Sequence, residues 1–181
     1  MILIGIDEVG RGCVAGPVVA ASVAIDSNNF SIDGTDSKLI SQKKREYLDA
    51  QIKSHCLDFS ISIIEAGVID KMNIHQASLL AMKKSFEALK IKSSHVKCDG
   101  KFSPDIPNIT CHIKGDFVFK EISAASIIAK VYRDNLMQNI ALNYPQYFFE
   151  KHKGYLTKIH QESIDQFGAT PIHRKSFKPF S

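Results

Sequence analysis

The sequence predicts an α/β domain with a helical C-terminal extension, and two patterns support this fold class. Several apolar runs, such as residues 2–6 and 18–25, are short and lack helical spacing, which is typical of buried strands. Longer segments between and after these runs repeat apolar residues every three or four positions, which is typical of helices. The 181 residues are enough for one such domain with a real hydrophobic core.

The strands follow from local patterns taken in chain order. Residues 2–6 are a continuous apolar run, and Pro17 opens the run at 18–25 at a position where a missing N–H is tolerated. Residues 59–64 alternate apolar side chains with serines, as in a half-buried strand. We expect two further short strands at 96–98 and 109–113.

Three helices are expected around these strands. Ser41 can cap a helix that runs to about residue 56, and Asn73 begins a sequence that resembles a capping box. An apolar stripe over residues 122–140 indicates a third helix, which must end before Pro145. The chain shows no internal repeat and no linker.

The composition excludes several classes of protein. Hydrophobic residues make up 44% of the chain and charged residues 23%, which rules out a disordered or low-complexity chain. The four cysteines contain no CxxC pair, so we expect a reduced, cytoplasmic protein without a structural zinc site. The apolar start of the chain meets Asp7 and Glu8 at once and is too short for a signal segment or a membrane span.

The formal net charge of +4 lies entirely in the last 31 residues. Residues 1–150 hold 17 basic and 17 acidic side chains, whereas residues 151–181 hold six basic and two acidic ones. This asymmetry suggests that the C-terminal segment meets an anionic partner. A solvated terminal helix explains the charge equally well.

The segment GIDEVGRGCVAG, residues 5–16, is the most informative part of the sequence. Two adjacent carboxylates at the end of a buried strand are costly unless a cation neutralises them. Successive strand residues face opposite ways, so Asp7 and Glu8 can share one site only if the chain bends there, which Gly10 and Gly12 permit. A nucleotide-binding glycine loop is one rival, but it needs a helix after the glycines, whereas Pro17 leads into a strand and an antiparallel hairpin. A solvated turn is the other rival.

Two more acids follow short predicted strands. Asp99 stands before Gly100, and Asp116 stands after Gly115. Acids at several strand ends, brought together by a sheet, suit Mg²⁺ or Mn²⁺, which bind carboxylate oxygens and water. A pair of such ions can activate a water and stabilise the leaving oxygen of a phosphodiester. Taken singly, Asp99 and Asp116 are more typical of turns.

A series of short segments, in a fixed order over essentially the whole chain, carries a resemblance to a known family. The most specific are DEVGRG at 7–12 and SAASIIAKV at 123–131. The others are DSK (36–38), NIHQASLLAM (73–82), CDG (98–100), KGD (114–116), HKGYLTKIH (152–160) and HRKSF (173–177). On these segments the chain resembles bacterial ribonuclease HII, a type 2 ribonuclease H.

The resemblance implies an RNase H-like fold, in which helices flank a five-stranded mixed sheet and further helices follow at the C-terminus. We expect residues 1–144 to form the catalytic domain and residues 145–181 a basic helical extension packed on it. The implied activity is that of an endonuclease dependent on Mn²⁺ or Mg²⁺, with two ions during catalysis, and nothing in the sequence demands more than a monomer. Its implied substrates are RNA–DNA hybrids and duplex DNA with embedded ribonucleotides, cut on the 5′ side of the ribonucleotide to leave 3′-hydroxyl and 5′-phosphate ends.

The resemblance also assigns individual residues to roles. The four metal-binding carboxylates of the family match Asp7, Glu8, Asp99 and Asp116. The loop that reads the ribose 2′-hydroxyl matches Gly10, Arg11 and Gly12, and Tyr155 matches the tyrosine that contacts the same nucleotide. Apart from the resemblance, Lys38, Lys130 and Arg133 could contact phosphates, although single basic residues are usually solvated surface charges.

Several alternatives remain open at the level of sequence. Asp134 competes with Asp116 as the fourth carboxylate, although pairing with Arg133 or with a neighbouring helix is a simpler role for it. A non-catalytic nucleic-acid-binding module is the rival function, but such a module would not need four acids, because acids repel phosphates. The chain departs from the family pattern at Leu39, at the pair Phe119 and Lys120, and at Phe148, where glycine is usual.

Overall fold

A mixed five-stranded sheet forms the centre of the molecule. The computed structural model describes residues 1–31 and 40–181. The strand order across the sheet is β3-β2-β1-β4-β5. The strands are β1 (Ile2–Val9), β2 (Val18–Asp26), β3 (Asp58–Ile64), β4 (Val96–Asp99) and β5 (Ile109–His112).

The direction of the strands sets the position of the acidic residues. β1 pairs with β2, and β2 with β3, in antiparallel fashion, which confirms the predicted hairpin. β1 pairs with β4, and β4 with β5, in parallel fashion. Since parallel strands end at the same edge of a sheet, the C-terminal ends of β1 and β4 lie side by side, where open α/β sheets generally hold their ligands.

Six helices surround the sheet within the described residues. The predicted caps are confirmed, because the Ser41 side chain accepts a hydrogen bond from the Lys44 N–H and the Asn73 side chain accepts one from the Gln76 N–H. One helix was not predicted, the second, which has only seven residues and no side-chain cap. The helices are α1 (Gln42–His55), α2 (Ala66–Met72), α3 (Ile74–Ala88), α4 (Lys120–Asn143), α5 (Phe149–His152) and α6 (Lys158–Phe167).

The helices cover the two faces of the sheet with separate hydrophobic clusters. Side chains of β1 such as Ile4 and Ile6 pack on the side of α3, whereas Ala21 and Val23 of β2 pack on the side of α1 and α4. A third cluster joins α4 to the C-terminal segment. Helix α4 lies so close to β1 that a Cβ atom on Gly5 would stand 2.1 Å from the Glu121 carbonyl.

The C-terminal segment continues from α4 through a short 3₁₀ turn, Pro145–Tyr147. Phe148, where glycine is usual in the family, has φ of +56° and caps this turn in the left-handed region. A side chain is strained in that conformation, whereas glycine adopts it freely. None of the helices in the described ranges is long and apolar enough to cross a membrane.

Candidate active site

The two acids of the opening motif lie inside strand β1. Asp7 pairs with Ala21 and Glu8 with Ala20 of β2, so the chain stays extended through both acids. The expected bend between the carboxylates is therefore wrong: the strand continues to Val9 and the chain turns only afterwards. The reason is that the antiparallel ladder with β2 extends past the acids and holds their backbone flat.

The strand places the two carboxylates on opposite faces at one end of the sheet. Asp7 is 5% exposed and lies toward α4, where Ser126 donates a hydrogen bond to it. Its Oδ1 atom also accepts a hydrogen bond from the Glu8 N–H at 2.7 Å. Glu8 Oε1 accepts a hydrogen bond from Arg11 Nη1 at 3.2 Å.

Asp99 reaches the same edge of the sheet because β4 runs parallel to β1. Ile6 is the register partner of Cys98, so the next residues of the two strands, Asp7 and Asp99, are neighbours. Asp99 Oδ1 accepts a hydrogen bond from the Gly115 N–H at 2.7 Å. Gly115 opens the 3₁₀ turn Gly115–Phe117, which carries the buried Asp116.

Gly115 lets the turn that carries Asp116 pack closely against α4 and β4. A Cβ atom at Gly115 would stand 2.6 Å from Ile122 Cδ1 of α4 and 3.2 Å from His112 Cβ, so a larger residue would force these side chains to shift. The structure therefore brings Asp7, Glu8 and Asp99 within electrostatic reach of one another and places the turn that carries Asp116 against Asp99.

The electrostatics of the acids favour a bound cation. Burial raises the pKa of Asp7 well above its ordinary value, and the neighbouring Glu8 and Asp99 raise it further by repulsion. Burial also raises the pKa of Glu8, against the opposing effect of the Arg11 guanidinium. Glu8 Oε2 is buried, and no group in the described part of the chain donates a hydrogen bond to it. Buried acids with raised pKa values and an unsatisfied oxygen are stabilised by a metal ion.

The donor set suits a hard divalent ion and leaves its site open to substrate. Within residues 1–31 and 40–181, no three His, Cys, Asp or Glu side chains are grouped so as to hold an ion by themselves. Mg²⁺ is commonly bound by one or two carboxylates, with waters and substrate phosphate oxygens completing its shell. The carboxylates present at the edge of the sheet fit that mode of binding.

Two buried arginines hold the glycine loop, residues 10–16. Arg174 Nη2 donates to the Gly10 carbonyl at 2.7 Å, its Nη1 to the Arg11 carbonyl at 2.9 Å, and its Nε to the Gly16 carbonyl at 2.9 Å. Arg133 donates to the carbonyl groups of Pro17 and Ala15 from the other side. The two arginine side chains therefore fix the loop by donating hydrogen bonds to its backbone carbonyl groups.

These contacts correct two predictions from the sequence. Arg133 and Arg174 are both 0% exposed. Arg133 therefore cannot contact a phosphate, and Arg174 adds nothing to the positive surface of the C-terminal segment. Sequence reasoning missed their anchoring role, although Arg133 stands between Ala129 and Met137 at the spacing of the buried stripe of α4.

Tyr155 lies directly beside the glycine loop. Its ring is 3.8 Å from the position that a Cβ atom would occupy on Gly12, and 43% of the residue is exposed. The preceding Gly154 accepts hydrogen bonds from the N–H groups of Val14 and Ala15 through its carbonyl. The structure thus joins two segments that are 140 residues apart in the sequence into one surface.

A cleft of about 520 Å³ connects the acids of β1 to Tyr155. Asp7, Glu8 and Ser126 line one part of it, and Tyr155 lines another. The basic residues along its walls are Arg45, Lys130, Lys151 and Lys153.

Asp134 lines the same cleft and takes the simpler role expected for it. It forms ion pairs with Lys130, at 2.8 Å, and with Arg45 of the neighbouring helix α1, at 3.7 Å. Lys38, the predicted phosphate contact, lies outside the described residues, as does Leu39.

A mixed sheet with acids at the shared end of parallel strands, beside a basic cleft, is typical of metal-dependent phosphodiester hydrolases.

Comparison with known proteins gives the family. A model of the ribonuclease HII family matches residues 4–180. Ribonuclease HII of Shewanella pealeana is 51% identical over 178 residues, which cover 97% of this chain and 87% of that protein. Ribonuclease HII of Parabacteroides distasonis is 46% identical over 176 residues, which cover 96% and 88%. The chain belongs to the ribonuclease HII family.

Solved structures share the fold. The ribonuclease H2 from Pyrococcus horikoshii has a TM-score of 0.84 and 24% identity, covering 99% of this chain and 95% of that one. The Bst-RNase HIII complex with Mn²⁺ has a TM-score of 0.76 and 18% identity, covering 99% and 68%. The RNase H-like fold predicted from the sequence is confirmed. By its family the chain is a divalent-metal-dependent endoribonuclease that acts on RNA–DNA hybrids.

Proposed function

We propose that this endonuclease also cuts duplex DNA on the 5′ side of an embedded ribonucleotide, leaving 3′-hydroxyl and 5′-phosphate ends. One observation carries the proposal: Asp7, Glu8 and Tyr155 line the same cleft, and the Tyr155 ring lies beside Gly12 of the glycine loop. A phosphodiester can lie at the acids while the adjacent ribose lies against the loop. Because one chain supplies all of these groups, a monomer is sufficient.

The proposed metal ligands are Asp7, Glu8, Asp99 and Asp116. Two Mn²⁺ or Mg²⁺ ions bound there would activate the attacking water and stabilise the leaving 3′ oxygen of the phosphodiester. The protein contributes a fixed set of carboxylates, because two of them belong to paired strands and Asp99 is held by the Gly115 N–H. Lys151 and Lys153, on the wall of the cleft, are placed to attract the flanking phosphates.

The glycine loop has the geometry to test for a 2′-hydroxyl. Arg174 binds the carbonyl oxygens of Gly10 and Arg11. Since a trans peptide places its N–H opposite its carbonyl, the N–H groups of Arg11 and Gly12 point away from Arg174. Those N–H groups can donate to a 2′-oxygen, which is the atom that distinguishes RNA from DNA at a single nucleotide.

The central test replaces Asp7 with Asn. We expect Asp7→Asn to abolish cleavage of a labelled duplex that contains one ribonucleotide, because the variant loses a charged ligand without changing shape. Asp105→Asn is the matched control, since its carboxylate is 91% exposed and pairs with Lys83 at the surface. Cleavage products are mapped on a sequencing gel, and a polymerase extension assay checks for the 3′-hydroxyl end.

A stability measurement separates loss of chemistry from loss of fold. Without metal, Asp7→Asn is expected to be about 1 kcal/mol more stable than the native protein, a rise in Tm of about 2–4 °C, because a repelled buried charge is removed. Added Mn²⁺ should raise the Tm of the native protein more than that of the variant. Undiminished cutting by Asp7→Asn would exclude the proposed site, and cleavage on the 3′ side would exclude the proposed specificity.

A further inference from the structure

Three histidines lie buried directly beneath Tyr155. His152 and His160 stack with ring centroids 4.3 Å apart, and His160 Nε2 lies 3.0 Å from His173 Nε2. His160 and His173 are 0% and 1% exposed, so neither can touch the substrate. We propose that His173 and His160 form a hydrogen-bond relay that positions Tyr155 for reading the ribonucleotide, an inference that rests on the proposed role of Tyr155.

The partners of the relay fix the position of each ring hydrogen. The Tyr155 carbonyl can only accept, so His160 Nδ1, at 2.9 Å, carries the hydrogen and donates it. The Thr170 N–H can only donate, so His173 Nδ1, at 2.9 Å, accepts. A neutral His173 then has its hydrogen on Nε2, and it donates to the bare Nε2 of His160.

This polarity runs in one direction from Thr170 to the Tyr155 carbonyl and requires both rings to be neutral. A second hydrogen on His160 would place two N–H groups face to face across the 3.0 Å contact, and a second hydrogen on His173 would face the Thr170 N–H. Burial supports the neutral state, because it lowers the pKa of both His160 and His173 to about 4.

His152 fixes the other side of the same turn. Its Nδ1 accepts a hydrogen bond from the Gly154 N–H at 3.2 Å, and its Nε2 donates to the Tyr147 carbonyl at 2.8 Å. Gly154 has φ of +90°, and a Cβ atom there would stand 2.3 Å from the Ala15 carbonyl oxygen. The Gly154 N–H and the Tyr155 carbonyl are therefore each bound by a histidine.

The consequence is a tyrosine whose backbone is set before substrate arrives. The ring lies over Gly12 without help from a ligand. Groups that are already in place avoid an entropic cost on binding and keep the reacting geometry accurate. Without the His160 donor, the Tyr155 carbonyl would keep only its hydrogen bond from the Thr157 N–H, and the turn would be held less firmly.

The test compares two replacements of the same ring. His160→Leu keeps the apolar volume but removes the donor, whereas His160→Asn retains an N–H near the position of Nδ1. We expect His160→Leu to lower kcat/KM on a duplex with one ribonucleotide by about tenfold, with little change in duplex binding. His160→Asn should recover most of that loss.

A double-mutant cycle with Tyr155→Ala decides whether His160 acts through Tyr155. If it does, His160→Leu causes little further loss of cleavage in the Tyr155→Ala background. Equal losses in both backgrounds would overturn the relay while leaving the role of Tyr155 intact. No loss from Tyr155→Ala alone would instead overturn the proposed role of Tyr155.

Nitrogen-15 NMR of the histidine rings tests the relay without any substitution. The native protein should show the hydrogen on Nδ1 of His160 and on Nε2 of His173 at pH 7. The opposite tautomer of either ring, or a charged ring, would overturn the proposal even if His160→Leu did not fold.

Discussion

Asp7 and Asp134 show how far the surroundings of a residue decide its role. Both are buried carboxylates on the same cleft. Asp134 is neutralised by ion pairs with Lys130 and Arg45. Burial raises the pKa of Asp7, and repulsion by the neighbouring Glu8 and Asp99 raises it further. Only Asp7 therefore has an electrostatic reason to attract a cation.

Tyr155 is the residue whose side chain is most directly testable. Replacing it with Ala removes a half-exposed ring that lies beside Gly12. Stacking on a nucleotide contributes about 1–3 kcal/mol, so we expect cleavage at a single ribonucleotide to fall about tenfold to a hundredfold. Duplex binding, measured by fluorescence anisotropy, should fall much less.

Two controls sharpen this experiment. Tyr155→Phe keeps the ring and should retain most activity if stacking matters more than the hydroxyl. Tyr47→Ala removes an exposed tyrosine on α1 and should leave cleavage unchanged. Equal losses of binding and cleavage in Tyr155→Ala would contradict a reading role.

At the scale of elements, the glycine loop depends on helix α4 and on the C-terminal segment together. Arg133 comes from α4, and Arg174 comes from the segment after α6. Neither forms an obvious motif with the loop in the sequence. Both are buried charged groups that donate to carbonyl oxygens, an arrangement that offsets the cost of burying them.

Gly10 of the glycine loop lies directly against Arg133 of α4. It has φ of +94°, and a Cβ atom there would stand 2.2 Å from Arg133 Nε. Gly10→Ala should therefore displace Arg133 and reduce cleavage by more than tenfold, because the loop loses its anchor. Cleavage kinetics and Tm are measured on the same preparation.

Gly168→Ala is the matched control for Gly10→Ala. Gly168 also has a positive φ, of +77°, but a Cβ atom there meets nothing within 4 Å. Gly168→Ala should lower the free energy of unfolding by about 1 kcal/mol because of backbone strain, and it should leave cleavage unchanged. If both variants lost activity equally, backbone strain rather than the Arg133 contact would be the cause.

At the scale of the whole molecule, the positive charge of the last 31 residues is smaller at the surface than the sequence suggests. Arg174 is buried, so the lysines provide the field. Lys151 and Lys153 direct this positive field into the cleft, which Asp7 and Glu8 also line. The distribution places positive charge where flanking phosphates would lie and negative charge where metal ions would bind.

The histidine cluster makes the stability of the molecule depend on pH. The pKa values of His160 and His173 are lowered to about 4 in the folded protein, whereas the unfolded chain has ordinary histidines near 6.5. The unfolded state then binds more protons between these values, so the free energy of unfolding should decrease as pH falls from about 6.5 to about 4.

Urea denaturation at several pH values measures this decrease. Each unit of pKa difference corresponds to about 1.4 kcal/mol for one histidine. Other groups near the cluster are His152, Glu150 and Lys153, and the pKa of His152 is also lowered. His160→Asn should have a flatter profile over this range, and an equally steep profile would contradict the assignment of the effect to His160.

Local chemistry made the helices and strands largely predictable from the sequence. The caps at Ser41 and Asn73 and the alternation in β3 depend on neighbouring residues, and the structure confirms them. The end of β1 was not predictable, because the ladder with β2 carries it past Asp7 and Glu8. The α2 helix escaped prediction because its stability comes from packing rather than from a cap.

The sequence by itself determined the α/β class, the family resemblance and the identity of the candidate acids. Each of these depends on residue type and spacing along the chain. Only the tertiary structure decided that Asp7 and Asp99 are neighbours, that Arg133 and Arg174 are anchors, and that histidines lie beneath Tyr155. The physical reason is that burial and pairing between distant segments are set by sheet register and helix packing, which local patterns do not encode.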